Sequence, residues 1–539
     1  MRAARVIFAL LLVATACQPS PPPEATPTPV ASETPAVLVP TARPTAVPPA
    51  TPTTGPRPPV TPLPLQTPSP GGLDPRFGIA EGFRDPSVMA DIGAGWERVV
   101  LSWADIQPDG PDDFSWLGRT LPPAALAGEV NRGVKLAGLL QFTPTWAATD
   151  LADPGRSVPQ NLDLPDDDPR NYWGHFVYET VRYYTGRIDE WIIWNEPEFQ
   201  PGDAAGQGSA TWLGTDQQFA RLMEVAYRAA KRANPHAVVA FPGTSYWIDK
   251  NSGRPQYYER FLKLESSNPD AAANHNFHDA VPLNLYRAPD DLVRVHQEFS
   301  DIQKRYNVTS TPIWLLELNA MPTDDMSIPC AEIHARNPIQ TTQAQQAAYG
   351  VQAFALAAAV GYGRIGFYQM VDDNPCVQSA VWGITRDDGT TRPVATTLRT
   401  AVQTFGGFVQ ARFAPLLRSP ARWSAWPLDP TSYTPNWQIY EVVFDMPNRQ
   451  RVTVLWNGDG APLRARVPRQ SSQARLLDMQ GNPLATPTSV GQDWSISLPP
   501  ATAHFAGDPN GYFFIGGDPL LLIEDNVPAD APVTPPRLG

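Results

Sequence analysis

The strongest constraint in this chain is an alternation. From Phe77 to Phe405, short apolar runs alternate with stretches patterned at helical spacing, and the pair recurs eight times over about 330 residues. The runs are predicted strands at 77–80, 97–102, 135–142, 190–194, 237–241, 280–285, 312–317 and 364–369. The stretches between and after them are predicted helices at 86–93, 124–132, 171–185, 215–233, 257–264, 290–305, 341–360 and 396–405. Runs such as VVAF and RIGFYQM are apolar throughout rather than alternating, the pattern of strands buried on both faces of a parallel sheet. Eight such units specify an α/β fold, a (β/α)8 TIM barrel with loop insertions, over 73–405.

After about Gly406 the texture changes. YEVVFDM, RVTVLWN, ARLLDMQGN and WSISLPP are short alternating strands with turn signals between them. They predict an all-β sandwich domain over 406–530, followed by an unstructured tail, APVTPPRLG, over 531–539. A chain of 539 residues with 42% hydrophobic content has the material for two such cores.

The N-terminus reads as an address. MRAARVIFALLLVATAC has two arginines, a short apolar core and small residues before Cys17, which is too short to span a bilayer as a mature helix. Ala14-Thr15-Ala16-Cys17 resembles a bacterial lipobox, so residues 1–17 are expected to be a lipoprotein signal with Cys17 lipidated. The alternative is an ordinary signal peptide with an incidental Cys. Residues 18–72 form a Pro/Thr-rich tract without periodicity, expected to be a disordered spacer between anchor and body. The expected location is extracytoplasmic, at the cell surface or in the periplasm. In such a compartment the two remaining cysteines, Cys330 and Cys376, are expected to pair, against the alternative of two free thiols.

The formal net charge of −13, with no basic run, argues against nucleic acid as a partner and leaves the lipid anchor as the only expected membrane contact. The His and Cys spacing predicts no metal site. The acidic loop LPDDDPRN lacks the ordered ligand spacing of a calcium loop.

In a (β/α)8 barrel the C-terminal strand ends converge on one mouth, where active sites sit. The fourth strand ends WIIWNE and the seventh ends LLE, placing Glu196 and Glu317 on opposite sides of that mouth. Glu is seldom buried without a partner. Two carboxyl groups facing one bond are the equipment of glycoside hydrolysis: one hands a proton to the leaving oxygen, the other attacks or stabilises the sugar.

These strand ends resemble clan A of the glycoside hydrolases over about residues 77–405. The WNEP motif carries the likeness, with LLELN as its counterpart on strand seven. The resemblance implies a retaining double displacement with Glu196 as acid/base, Glu317 as nucleophile and no cofactor. It implies that Asn195 hydrogen-bonds the substrate 2-hydroxyl, and that the two carboxyl groups stand about 5–5.5 Å apart. GAGWERVVLSWADIQP is similar to the family's second strand and makes Arg98 the cation beside the nucleophile. Tyr286, after LNL, matches the tyrosine whose hydroxyl contacts the nucleophile. Asn284 departs from the pattern, since many relatives have His two residues before that tyrosine. TPTWA around Trp146 and GGDPLLLIED near the C-terminus are similar to family thirty-nine enzymes of the β-xylosidase type.

Trp103, Trp146 and Trp382 each follow a barrel strand and are candidate sugar-stacking platforms, with plain packing as the alternative. Asp372 and Asp373 form a rival acid pair after strand eight, with hydrogen bonding or solvation as the expected role. The resulting expectation is a retaining glycoside hydrolase acting on a carbohydrate, a β-xyloside or β-glucan-like oligo- or polysaccharide. The competing expectation is a non-catalytic carbohydrate-binding lipoprotein on the same scaffold, and a third is a transglycosylase.

Overall fold

The computed structural model describes residues 72–116, 121–200, 210–286, 288–328, 341–373, 375, 381–418, 424–426, 429–434, 437–504 and 513–539. The signal, the spacer, Cys17, Cys330 and Cys376 lie outside the described residues.

Eight strands build the barrel: β1 (Asp74–Ala80), β2 (Ala94–Ser102), β3 (Lys135–Gln141), β4 (Glu190–Ile193), β5 (Val238–Ala240, resuming at Thr244–Ser245), β6 (Val281–Tyr286), β7 (Ile313–Asn319) and β8 (Ile365–Phe367). Each is followed by a helix: α1 (Pro86–Ile92), α2 (Pro123–Arg132), α3 (Tyr172–Tyr184), α4 (Asp216–Ala233), α5 (Tyr257–Glu265), α6 (Asp290–Arg305), α7 (Gln343–Val360) and α8 (Pro393–Phe405). The strands pair in parallel in the order β5-β4-β3-β2-β1-β8-β7-β6. The second half of β5 returns to pair with β6, Thr244 opposite Leu283, which closes the ring. The sequence pattern shows one fifth strand where the structure has two pieces. Pro242 between them has no N–H to give the ladder.

The barrel interior is filled rather than open. Trp96 from β2 and Trp314 from β7 meet edge to face at 6.4 Å, among Ala137, Ile192, Ala240 and Leu316. Glycines make the room: a Cβ on Gly78 would lie 2.4 Å from the Trp96 ring, and one on Gly366 would lie 2.9 Å from it. Beneath the rings Glu190 accepts the Trp96 indole N–H at 3.0 Å and pairs across the barrel with Arg364. This is a packed floor under the mouth.

Capping boxes start α4 at Thr215/Gln218 and α7 at Thr342/Gln345. The helix α7 has no polar face, and the reason lies outside the barrel. The C-terminal domain covers it.

That domain is a sandwich. One sheet runs β9 (Gln410–Phe413), β10 (Trp437–Asp445), β11 (Arg451–Asn457), then β16 (Leu520–Glu524) and β13 (Ala474–Leu477). The other runs β14 (Thr488–Val490), β15 (Asp493–Leu498), β12 (Leu463–Pro468) and β17 (Arg537–Leu538). Ile439, Leu455, Val467, Trp494, Ile496 and Leu522 fill the space between them. The opposite face of the first sheet lies on the barrel: Phe444 stacks on Phe405 of α8 at 4.4 Å, and Tyr440 donates to Asp290 of α6 at 2.7 Å. Gln352 of α7 bonds Gly517 O at 3.0 Å and Gly516 N at 3.1 Å.

The final residues correct the expectation of an unstructured tail. β17 pairs with β12, Arg537 Nη2 donates to both carboxylate oxygens of Asp493 at 2.6 and 2.7 Å, and Arg451 donates to the carbonyls of Ala531 and Pro532 at 2.9 Å each. A charged pair and carbonyl capture order a segment whose composition alone reads as loose. Among the described residues no helix is long and apolar enough to cross a membrane.

Candidate active site

Glu196 stands three residues past β4, where the chain bends off the ladder. Trp194 and Glu196 both take left-handed φ, 68° and 48°, a conformation that costs an L-residue energy and persists only where surroundings fix it. They are fixed here by main-chain bonds on both sides: Trp194 N to Leu140 O at 2.9 Å and Glu196 N to Gly243 O at 2.8 Å. The Thr211 hydroxyl donates to the Glu196 carbonyl at 2.9 Å. The result turns the Glu196 carboxyl inward, with the residue only 2% exposed.

Glu317 comes from β7 and is equally buried. Arg98, midway along β2, donates Nη2 to Glu317 Oε1 at 2.8 Å. Tyr286, the last residue of β6, donates its hydroxyl to Oε2 at 2.5 Å. Each oxygen of Glu317 thus has its own donor. Glu196 has a different partner: the Asn284 amide donates to its Oε1 at 2.9 Å and to Asn195 Oδ1 at 3.2 Å. Asn284 is also the register partner of Glu317 across β6–β7, so it links the two carboxyls through one residue.

Burial raises the pKa of both acids, but Glu317 has a guanidinium and a phenol bonded directly to it to oppose the rise. Glu196 is pushed up to about 8 by burial and by the charge of Glu317, with the Asn284 hydrogen bond and Arg98 pulling the other way. These surroundings favour the proton on Glu196 and the charge on Glu317. Such a pair can give a proton at one side of a bound molecule while an anion waits at the other.

An aromatic wall stands beside Glu317. The Trp382 ring lies 4.9 Å from that of Tyr286, and Tyr368 is 6.1 Å from Tyr286 and 6.4 Å from Trp382. The Tyr368–Gln369 peptide is cis. Asn319, two residues past Glu317, donates to Trp382 O at 2.9 Å and also to Tyr368 O, and Gln346 of α7 donates to Asn319 Oδ1 at 3.1 Å. Tyr368 and Asn319 were not singled out from the sequence, although a ring at the end of RIGFYQM and a polar residue after LLEL are visible there.

The other candidates separate. Trp103 is fully buried, stacks on Phe176 at 5.2 Å and donates to Gln107 Oε1 at 2.6 Å, so it has no face to offer a sugar. Its position after β2 aims it into the helix layer, which corrects the platform expectation. Trp146 is half-buried, packs edge-on against Trp103 and Tyr172, and donates to Gln107 O at 2.8 Å. Asp372 is bonded to Arg392 at 2.6 Å and to Gly383 N at 2.7 Å, while Asp373 reaches Arg84 at 3.4 Å. Neither is a free acid at the mouth. Glu198, absent from the sequence candidates, is fully buried behind Glu196 and accepts Ser245 N at 2.5 Å; burial raises its pKa well above the ordinary range. Among the described residues no three or more His, Cys, Asp or Glu are grouped to hold a metal ion.

No family model and no curated protein matches the sequence. Solved structures do match. A family 39 glycoside hydrolase from the gut symbiont Bacteroides cellulosilyticus WH2 superposes with TM-score 0.57 at 13% identity, covering 84% of this chain and 81% of that one. A family 30 endoxylanase from Clostridium papyrosolvens C71 gives 0.50 at 11% identity, covering 84% and 98%. A family 30 xylanase from Clostridium acetobutylicum gives 0.50 at 12%, covering 83% and 95%. The chain shares the fold of these clan A glycoside hydrolase structures, a TIM barrel with a β-domain.

Proposed function

We propose that the chain is a retaining glycoside hydrolase. The observation that carries this reading is the unlike pair at the barrel mouth: Glu317 between Arg98 and Tyr286, and Glu196 on the neutral amide of Asn284.

Glu317 attacks the anomeric carbon as Glu196 protonates the departing glycosidic oxygen. The C–O bond to the leaving group breaks, and an ester forms between Glu317 and the sugar. Glu196, now ionised, takes a proton from water, whose oxygen displaces Glu317 and releases the sugar with net retention. Arg98 and Tyr286 hold the nucleophile ionised and aimed. Asn195 contacts the 2-hydroxyl, and Trp382 with Tyr368 gives the ring a wall. Arg98 is a positioning residue.

The substrate class proposed is a β-xyloside or β-glucan-like oligo- or polysaccharide. The family 30 neighbours are xylanases, which supports the first. Export and lipidation at Cys17, with 18–72 as a leash, complete the reading on the strength of the N-terminal sequence.

The test uses a chain starting at Gly72, assayed beside Glu317→Ala on aryl β-xylosides, glucosides, galactosides, mannosides and α-arabinosides, with xylan and β-glucan. The reading expects release by the parent chain and a loss on the order of 10⁴-fold or more in the variant. Sugar binding without turnover, unchanged in Glu317→Ala, would overturn it in favour of a binding protein.

A further inference from the structure

We infer that Asn284 sets the donor polarity of the sugar subsite: it fixes which way the Asn195 amide faces and which oxygen of Glu196 carries the proton. The inference rests on the glycosidase reading above. It concerns the position at which this chain departs from the motif it otherwise resembles.

The argument begins with room. Asn284 is 1% exposed, and its Oδ1 lies where a Cβ on residue 243 would come within 2.6 Å, so Gly243 is what lets the amide turn toward β4. Its Nδ2 then makes two bonds on that side, to Glu196 Oε1 and to Asn195 Oδ1. An amide oxygen that accepts from Asn284 leaves Asn195 with its N–H groups pointing away from Asn284. Asn195 is half-buried at the mouth, so those N–H groups are what the site presents to the 2-position of a sugar. The subsite therefore selects sugars whose C2 substituent can accept a hydrogen bond, a hydroxyl being the simplest.

The same amide works on Glu196. An oxygen receiving an N–H is a poor place for a proton, so the acidic hydrogen sits on Oε2, the oxygen left for the leaving group. Unlike histidine, an amide does not titrate in this range, so this arrangement holds over the whole working pH. The charged and titratable groups around Glu196 are Glu317, Arg98, Glu198 and Tyr286. None of them donates to Oε1 in place of Asn284.

The experiment compares the parent chain with Asn284→Ala and the near-isosteric Asn284→Asp on an aryl β-glycoside and its 2-deoxy analogue, across pH, after a thermal melt of each variant. Losing one neutral hydrogen bond, as between the two amides, corresponds to about 2- to 10-fold. The parent chain should prefer the 2-hydroxy substrate, and each variant should lose about 2- to 10-fold of that preference. In both, the alkaline limb of kcat/KM should move to higher pH, because a donor that favoured ionised Glu196 is gone, and further in Asn284→Asp, where a like charge is added. If Asn284→Ala fails to fold, Asn284→Asp decides alone. A parent chain that is active while the folded variants keep both the 2-hydroxy preference and the pH limb overturns the inference and leaves the glycosidase reading standing. A parent chain inactive on every glycoside strikes at that reading first, and a 2-deoxy sugar binding as tightly as its 2-hydroxy counterpart would then refute the inference too.

Discussion

Glu196 and Glu317 are identical side chains made unlike by their neighbours. The difference has a kinetic signature. Glu196 must hold its proton to act as an acid, so the alkaline limb of kcat/KM is expected near pH 8, read from a pH–rate profile. Tyr286→Phe removes one of the two donors to Glu317 and should lower kcat/KM by about 10- to 100-fold. A second buried acid makes a prediction about stability. Glu97 is fully buried with one oxygen bonded to Phe83 N at 2.9 Å, and burial with the nearby charge of Glu129 raises its pKa well above the ordinary carboxylate range. A raised folded pKa contributes stability that is fully present below the unfolded pKa and is lost as pH rises toward the folded value. Glu97→Gln should therefore raise the melting temperature at pH 8 and leave it nearly unchanged at pH 4. Both catalytic candidates were legible because an acid ending an apolar strand is rare. Trp103 was misread because a tryptophan after a strand looks the same whether it turns to the mouth or into the helix layer.

At the scale of elements, the segment after β8 is held by one fully buried arginine. Arg392, the residue just before α8, donates to Asp372, Asp325 and Gly383 O, and Asp325 also receives Arg386 at 2.8 Å. These bonds fasten Gly383, and with it Trp382, to the loop following β7. Removing one partner from a buried ionic group leaves the others unpaired, at a cost of about 3–5 kcal/mol. Arg392→Met should show that loss in urea unfolding, and the folded fraction should bind substrate more weakly as the Trp382 wall loosens. The alternation of strands and helices made the barrel legible from sequence, including all eight helices near their observed places. What stayed hidden was the interruption of β5 at Pro242. A single apolar run, AVVAF, gives no sign that the ladder will pause and resume at Thr244. The covering of α7 was not legible, since the sheet that lies over it begins only at Gln410, beyond α8.

At the scale of the whole molecule, barrel and sandwich are packed face to face. Phe405, Phe408 and Phe444 form a continuous aromatic contact, and Phe444→Ala should cost about 3–5 kcal/mol as measured by chemical denaturation. Calorimetry is expected to show one transition for barrel and β-domain together, because unfolding the sandwich would bare the apolar outer face of α7. The sequence texture changes near Gly406, yet the docking face was not readable. Its aromatic residues look like any core residue until the partner surface is known. The direction of β1 carries one more consequence. Asp74 opens that strand on the floor side of the barrel, beneath Trp96 and the Glu190–Arg364 pair, whereas Glu196 and Glu317 cluster at the opposite pole. Anything fixed ahead of Asp74 would pull on the closed end, so tension would run along the strand axis and bypass the loops around the mouth. Held that way, the molecule would work like a tool gripped by its handle, its open end turned away from the point of attachment.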